Sequence, residues 1–536
     1  MEEHVAPHPD ERREELPQYP ILDPRELGDE PPDRRDELPD DIQRQLSPED
    51  RVIEIITPEI AARTLQPSAV REIMRIVDGG VPVASLASSE NARVESLRKF
   101  ETPHGRDALE IAMKLHDRFP STLRETLLLL AAKQGIEDEM YSDGSPFRQE
   151  ERGRIMLLDR DPDDPIGRKF SEKLRWGFPF YGSIDATPTF ISAIHAYTTQ
   201  HDPDFLHTPY IARDEQQYNV ARALNDATDW LISKLNETPE GFVEFRNAAA
   251  HGGMDAQAWK DSAFAYVHSD GSRANHRDGI ASVEVQTLAY DALLDSAELS
   301  RMQGDIAFAD ILDTRAKQLS QRIFDSFWID DPQKGGYFAL GLDRDPTNRL
   351  AHDPLRVRSS NMGHLLQSRL LEGNDPNTRH MRDEVVRQLF SPEMLAPSGI
   401  RTLASDEVAF RPGGYHTGSV WLWDTARIAD GLERHGFDHL AWNLRARIWQ
   451  TVEETKSFPE FVRGGFENVT ETNPSEIYVW NQEYKTLHLF EQPPQEIQGW
   501  SVSAILAAKY AYPEYVKNRN SLPTSPLEQS ILDRMS

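Results

Sequence analysis

The 536-residue sequence has no cysteine. That excludes disulfides, thiolate metal sites and a cysteine nucleophile, and it suits a reducing compartment such as the cytoplasm. No apolar run approaches the roughly 18 residues a membrane span needs. The opening MEEHVAPHPDERREELP has neither a basic start nor an apolar stretch, so neither membrane insertion nor a secretory signal is expected. Basic charge is scarce: 59 Lys and Arg face 89 Asp and Glu, a net charge of −30. A phosphate backbone demands a basic face, so nucleic acid is not an expected partner. The Gly pairs at 252–253, 335–336 and 413–414 lack the pattern that cradles phosphate after a strand, and no Gly-x-Ser-x-Gly elbow offers a serine nucleophile. Strand signals are few, with GGYFALGLDRD at 335–345 the best.

Helical pattern fills the body of the chain. Residues 1–48 are rich in Pro, Asp, Glu and Arg and have too few apolar positions to offset the entropy of ordering; a disordered or loosely draped tail is expected there. From about residue 49, segments such as NVARALNDATDWLISKLNE and FADILDTRAKQLSQRIFDSFW repeat apolar residues every three or four positions. Gly135, Gly304 and Gly436 stand where left-handed C-caps are favoured. About a dozen helices with almost no sheet and no dividing linker predict one all-α domain over 49–536, built of helical hairpins curled into a closed ring.

Polar and aromatic motifs fall in the loops between these helices: PHGRDA at 103–108, FPFYGSIDATP at 178–188, WKDS at 259–262, RSSNMGHLL at 358–366, SGIRTLA at 398–404, PGGYHTGSVWLWD at 412–424, PEF at 459–461 and QEIQGWS at 495–501. In a ring of hairpins, loops on one rim converge on one funnel. This mixture suits a sugar, whose rings stack on aromatic faces and whose hydroxyls need paired donors and acceptors. Two acids at helix ends, Asp261 and Glu460, are what glycosidic cleavage requires: one protonates the leaving oxygen while the other activates water. Blander readings compete. Asp261 and Asp185 could cap helices, Glu460 could be an ordinary loop acid with Glu496 as the rival base, and Arg106 and Asp107 could be a salt-bridged helix start. Tyr415, His416 and Trp421 could simply pack at a rim. His416 lacks a second His or acid at helical ligand spacing, which makes it a poor metal ligand.

Taken in order from about Thr102 to Tyr510, these motifs resemble the amylo-α-1,6-glucosidase and glycogen-debranching group of six-hairpin glycosidases, with more distant likeness to glucoamylases, neutral invertases and mannosylglycerate hydrolases. The resemblance implies an (α/α)6 barrel, an inverting mechanism and no metal or organic cofactor. It makes Asp261 the general acid and Glu460 the general base. Arg106 and Asp107 would hold the hydroxyls of a terminal glucose, and Tyr181, Asp185, Trp259, Glu284, Gln286, Tyr415, His416, Trp421, Gln498 and Trp500 would line the pocket. Two departures, GRIMLLDRDPDD at 153–164 and the long SEIYVWNQEYKTLHLFEQ at 475–492, bear on the aglycone side. The expected activity is exo-acting hydrolysis of an α-glucosidic bond at a non-reducing glucose, with Asp261 kept protonated by apolar and aromatic surroundings. The alternatives are a small glycoside such as sucrose, trehalose or glucosyl- or mannosylglycerate, and a catalytically silent glucan-binding barrel.

Overall fold

The computed structural model describes residues 80–86, 100–139, 146–248, 252–262, 264–345, 352–465, 475–481, 486–492 and 494–535. The tail expected over 1–48 lies outside the described residues, as do residues 49–79. The helices used below are α1 (Gly105–Leu115), α2 (Pro120–Ala132), α3 (Pro165–Leu174), α4 (Ala186–Gln200), α5 (Val220–Asn236), α6 (Val283–Met302), α7 (Ile306–Phe327), α8 (Asn361–His364), α9 (Pro376–Leu389), α10 (Leu422–Arg434), α11 (Asp438–Thr455), α12 (Gly499–Asn518) and α13 (Pro526–Met535). Helix α8 runs on into the short 3-10 turn Leu365–Gln367.

The helices alternate between an inner and an outer ring because their sequences bury different amounts of surface. In α7 the buried residues Ala309, Leu312, Ala316, Leu319, Ile323 and Phe327 follow a three- and four-residue spacing and leave the opposite face to charge. That is an outer helix with one apolar stripe. Helix α4 is buried almost all round from Ala186 to Thr198, and α12 is buried at every residue from Gly499 to Leu506, as an inner helix must be. Around the inner ring α1 packs on α4, α4 on α6, α6 on α8, α8 and its 3-10 extension on α10, and α10 on α12; α12 then returns to α1 and closes the circle. Outer helices α2, α5, α7, α9 and α11 follow their inner partners in sequence, giving the (α/α)6 toroid.

The two rings also begin differently. Three outer helices, α5, α7 and α9, start on side-chain caps: Asn219 accepts from the Arg222 N–H at 3.1 Å, Asp305 from Phe308 at 3.0 Å and Asp375 from Thr378 at 3.0 Å. None of the six inner helices has such a cap bond. Three of them instead place an acid in the first turn, Asp107, Glu284 and Asp424, where the helix dipole favours negative charge. Two-residue or three-residue strands lead straight into three inner helices. Ile280–Ser282 pairs with Gly341–Arg344, Val420–Trp421 with Phe461–Val462, and Ile497–Gln498 with Ser85–Leu86. The second of these pairings draws residue 460 alongside the 412–424 motif.

Both halves of the 335–345 strand signal form strands. The segment 475–492 holds an antiparallel hairpin, Ser475–Asn481 against Thr486–Gln492, that helical periodicity did not reveal. Gly304 and Gly436 adopt the expected left-handed conformation, at φ +85° and +76°. Gly135 does not; it is small because a Cβ there would stand 2.2 Å from the Glu151 carbonyl oxygen. Gly105 opens α1 under the same kind of constraint, since a Cβ would stand 2.0 Å from the Met156 carbonyl oxygen. Gly105→Ala is therefore expected to destabilise the protein by about 1–3 kcal/mol through overpacking. A lower thermal midpoint checks this; an unchanged one would show that the 104–107 turn yields freely.

Candidate active site

Arg106, in the first turn of α1, is the hub of the site. Its Nη1 donates to Asp185 Oδ2 at 3.1 Å, its Nη2 to Asp261 Oδ2 at 3.2 Å, and its Nε lies 3.8 Å from Asp107 Oδ2. Burial alone would weaken its charge, but the attraction of Asp185, Asp261 and Asp107 outweighs burial and holds it charged. Asp185 occupies the N-cap position of α4 without making a cap bond, so its carboxylate serves Arg106 instead. Ser183 Oγ donates to the other Asp185 oxygen.

Asp107 shows how crowded the negative charge is. Burial, with the nearby charges of Asp261, Glu460 and Asp185, pushes its carboxyl up to about 7 against the pull of Arg106. One guanidinium thus faces three carboxyl groups, Asp107, Asp185 and Asp261, while the charge of Glu460 acts on Asp107. The four differ in access. The Asp107 and Asp185 side chains are 6% and 4% exposed and Asp261 is 27% exposed; Glu460 is buried at 3%. Asp261 is the one open to a ligand. Its surroundings are more polar than the expected apolar pocket, since Arg106 Nη2 reaches its Oδ2 at 3.2 Å.

Glu460 is clamped. Tyr415 Oη donates to its Oε1 at 2.7 Å and the Gln495 backbone N–H donates to its Oε2 at 3.0 Å. Burial, followed by the charge of Glu460, raises Tyr415 well above its usual range and keeps it a phenol donor. The Phe458–Ile497 bridge and the pairing of Phe461–Val462 with Val420–Trp421 hold the 458–462 segment on both sides.

An aromatic wall stands beside these acids. Trp259 meets Trp421, Trp423 and His416 edge-on at 5.9, 5.2 and 5.4 Å, and Trp423 stacks on Trp500 at 4.7 Å. Trp421 and Trp500 are 2% and 5% exposed, so both act as packing behind the site. Trp421 Nε1 donates to the Tyr415 carbonyl. His416 shares a hydrogen bond with Ser262 Oγ at 2.9 Å; burial, then Lys260 and Arg106, lower it well below its usual value and keep it neutral. Glu284 is buried in the floor, its Oε2 accepting from Asn361 Nδ2 at 2.7 Å.

Three expected pocket residues are placed elsewhere. Tyr181 Oη donates to the Lys133 carbonyl at 2.7 Å and accepts from Arg213 Nη1 at 2.6 Å. Gln286 spends its amide on the backbone, accepting from the Val243 N–H and donating to the Val243 and Ser282 carbonyls. Gln498, with its amide oriented to satisfy both ends, donates to the Ala84 carbonyl and accepts from Trp500 Nε1. Each is buried and bonded to protein groups. The motif reading passed over Ser262, Lys260, His364, Asp424 and the Gln495 amide. All five lie inside quoted motifs.

Among the described residues, Glu240, Glu244 and His352 are close enough to share a cation. Arg344 already places its guanidinium on both carboxylates, at 3.2 Å from Glu240 and in contact with Glu244, which gives that group its positive partner.

Residues 215–467, just under half of the chain and including Asp261 and Glu460, match the mannosylglycerate hydrolase MGH1-like glycoside hydrolase domain. No curated protein matches the sequence. Among solved structures, the GH63 mannosylglycerate hydrolase from Thermus thermophilus in complex with Tris is 15% identical and aligns over 83% of this chain and 99% of its own, with a TM-score of 0.50. The structure of that hydrolase in complex with glucose is 16% identical over 83% and 100% of the two chains, with a TM-score of 0.49. The fold is that of the six-hairpin glycosidases, and the protein is a glycoside hydrolase. The matched domain carries the name of mannosylglycerate hydrolases and not that of debranching enzymes.

The carboxyl of Asp107 sits near 7 in the folded protein against 3.8 for an unperturbed Asp. A group raised in this way contributes stability that is complete below about 4 and is lost as pH rises through about 7. Asp107→Asn should therefore melt progressively higher, relative to the parent, as pH is raised from 5 to 8. Parallel melting curves across that range would remove Asp107 as the site of the retained proton.

Proposed function

We propose that the protein is an inverting, exo-acting α-glycosidase whose substrate joins a hexose, glucose or mannose, to a small polar aglycone of the glycerate kind. The observation that carries this reading is the meeting of Asp261, Asp107 and Asp185 around Arg106, with the charge of Glu460 reaching Asp107, at the N-terminal rim of the inner helices. The name of the matched domain supports the aglycone class. An α-glucan aglycone is the debranching-type alternative.

Asp261, the exposed member of the cluster, donates a proton to the departing glycosidic oxygen. Binding a sugar over it removes water from a crowded set of carboxylates, which raises the affinity of the set for its proton at the moment it is needed. Glu460 takes a proton from the attacking water. Two donors hold it as a fixed carboxylate, and a carboxylate oxygen accepts more than one hydrogen bond, so the water can join them. Arg106, Asp107 and Asp185 close the far end of the pocket and grip the hydroxyls of the terminal hexose, which makes the action exo. Direct attack by water inverts the anomeric centre and needs a gap of roughly 6.5–9.5 Å between the two carboxyl groups.

The test is proton NMR of the purified protein with α-glucosylglycerate, α-mannosylglycerate, trehalose, sucrose and isomaltose. Hexose should be released from a glycerate glycoside, with the β-anomer appearing first. Asp261→Asn and Glu460→Gln should each lower kcat by roughly 10²–10⁴-fold. Release of the α-anomer first would sink inversion, a preference for isomaltose would favour the glucan reading, and binding without turnover would mean a silent barrel. Tyr415→Phe removes one donor from Glu460 and should lower kcat about tenfold with little change in KM, the effect of losing a hydrogen bond to a charged group. A change confined to KM would place Tyr415 on the substrate instead.

A further inference from the structure

Beneath the loop that carries Asp261 lies a second buried charge group. Lys260 is fully buried, its Nζ 5.2 Å from the centre of the Trp259 ring and donating to the Thr402 carbonyl at 2.6 Å. Thr402 is itself tied to Ser419 through both its N–H and its hydroxyl, each at 2.9 Å, so the lysine is anchored to a fixed point. Around it lie the first-turn acids of two inner helices, Glu284 and Asp424, 2% and 0% exposed. The charges of both act on the lysine. Glu284 Oε2 is satisfied by Asn361 and Ser282, and Asp424 Oδ1 by His364 Nε2 at 2.5 Å, while Glu284 Oε1 and Asp424 Oδ2 are buried with no protein partner. His364 also stacks on Trp259 at 5.8 Å, which completes a polar floor directly under the 259–262 loop.

Two buried carboxylates without a counter-charge would repel each other and the Asp185–Asp261 group above them. The Lys260 ammonium carries three hydrogens, of which Thr402 takes one, leaving two to reach these acids through internal water. We infer that Lys260 is a positioning residue: its buried charge neutralises the Glu284–Asp424 floor and thereby fixes the loop that aims Asp261 at the glycosidic oxygen. The inference rests on the reading of Asp261 as the acid. Lys260 touches no substrate; it acts through the geometry of its neighbour, where a displacement of about 1 Å is enough to cost 10²-fold in rate. Burial lowers the lysine to about 8, and Asp424 and Glu284 oppose the fall, as expected of a cation retained for its partners.

The test compares full-length Lys260→Met, Glu284→Gln and the double variant with the parent, on whichever glycoside the parent hydrolyses in the NMR panel. Folding is followed by circular dichroism. Lys260→Met should lower kcat by 10- to 100-fold with KM within about threefold, and Glu284→Gln in the same chain should restore at least a third of the logarithmic loss, because it removes the charge left without a partner. A Lys260→Met chain that folds only when Glu284→Gln is added would support the same conclusion. Unchanged kcat per folded molecule, equal losses in kcat and 1/KM, or losses that simply add in the double variant would overturn it and leave Lys260 a tether to Thr402. Asp261→Asn separates the two ideas. If that variant keeps its activity, the reading of the site itself fails; if it is inactive while Lys260→Met is normal, only the role of Lys260 fails.

Discussion

Everything at the active rim depends on one buried guanidinium. Arg106 reaches Asp185 on one side and Asp261 on the other, with Asp107 beside it in the same helical turn. Without it, four carboxyl groups would be left facing one another behind a protein wall, an arrangement that would protonate, open to water or unfold. Arg106 can do this because the inner ring closes. Helix α12 packs on α1 and α1 on α4, which brings the first turn of α1 beside the start of α4 and the 259–262 loop. Six inner helices without a side-chain N-cap bond start at the same rim, and their dipoles offset part of the charge collected there.

The two principal acids are held in opposite ways. Glu460 is buried and bound by two donors, so its orientation is fixed before any ligand arrives. Asp261 is more exposed and shares Arg106 with Asp185, so its side chain is open to a ligand. In the proposed mechanism these distinct environments assign distinct roles, base and acid, to two chemically similar groups. The aromatic wall of Trp259, Trp421, Trp423 and Trp500 adds stiffness behind them, and the layer of Lys260, Glu284, Asp424 and His364 continues the alternation of charge below the surface.

Much of this was legible in the sequence, and the reasons for the exceptions are physical. The helical ring was readable because three- and four-residue apolar spacing survives in outer helices such as α7, and because strand signals were few. Arg106, Asp107, Asp185 and Glu460 each sit within a residue or two of a helix start or a short strand, where chain direction is set locally, whereas Asp261 lies in a loop away from the helices and strands and stood out only through its motif. Tyr181, Gln286 and Gln498 were assigned to the pocket on proximity in sequence. Their side chains bond backbone groups of residues 133, 243 and 84, contacts that no local pattern encodes. The hairpin at 475–492 was not legible because both of its strands mix apolar and charged residues without a clean alternation. Lys260 was hidden by its type, since lysine is rarely buried unless paired and its partners lie on helices 24 and 164 residues away.

A crystal structure of the Glu460→Gln protein holding an intact hexosyl-glycerate tests the central claim most directly. The predicted result is a hexose seated against Arg106, with the Asp261 carboxyl at the glycosidic oxygen and the residue 460 side chain on the opposite face of the ring, roughly 6.5–9.5 Å from it. A sugar bound away from Arg106, or with both side chains on one face of the ring, would contradict it.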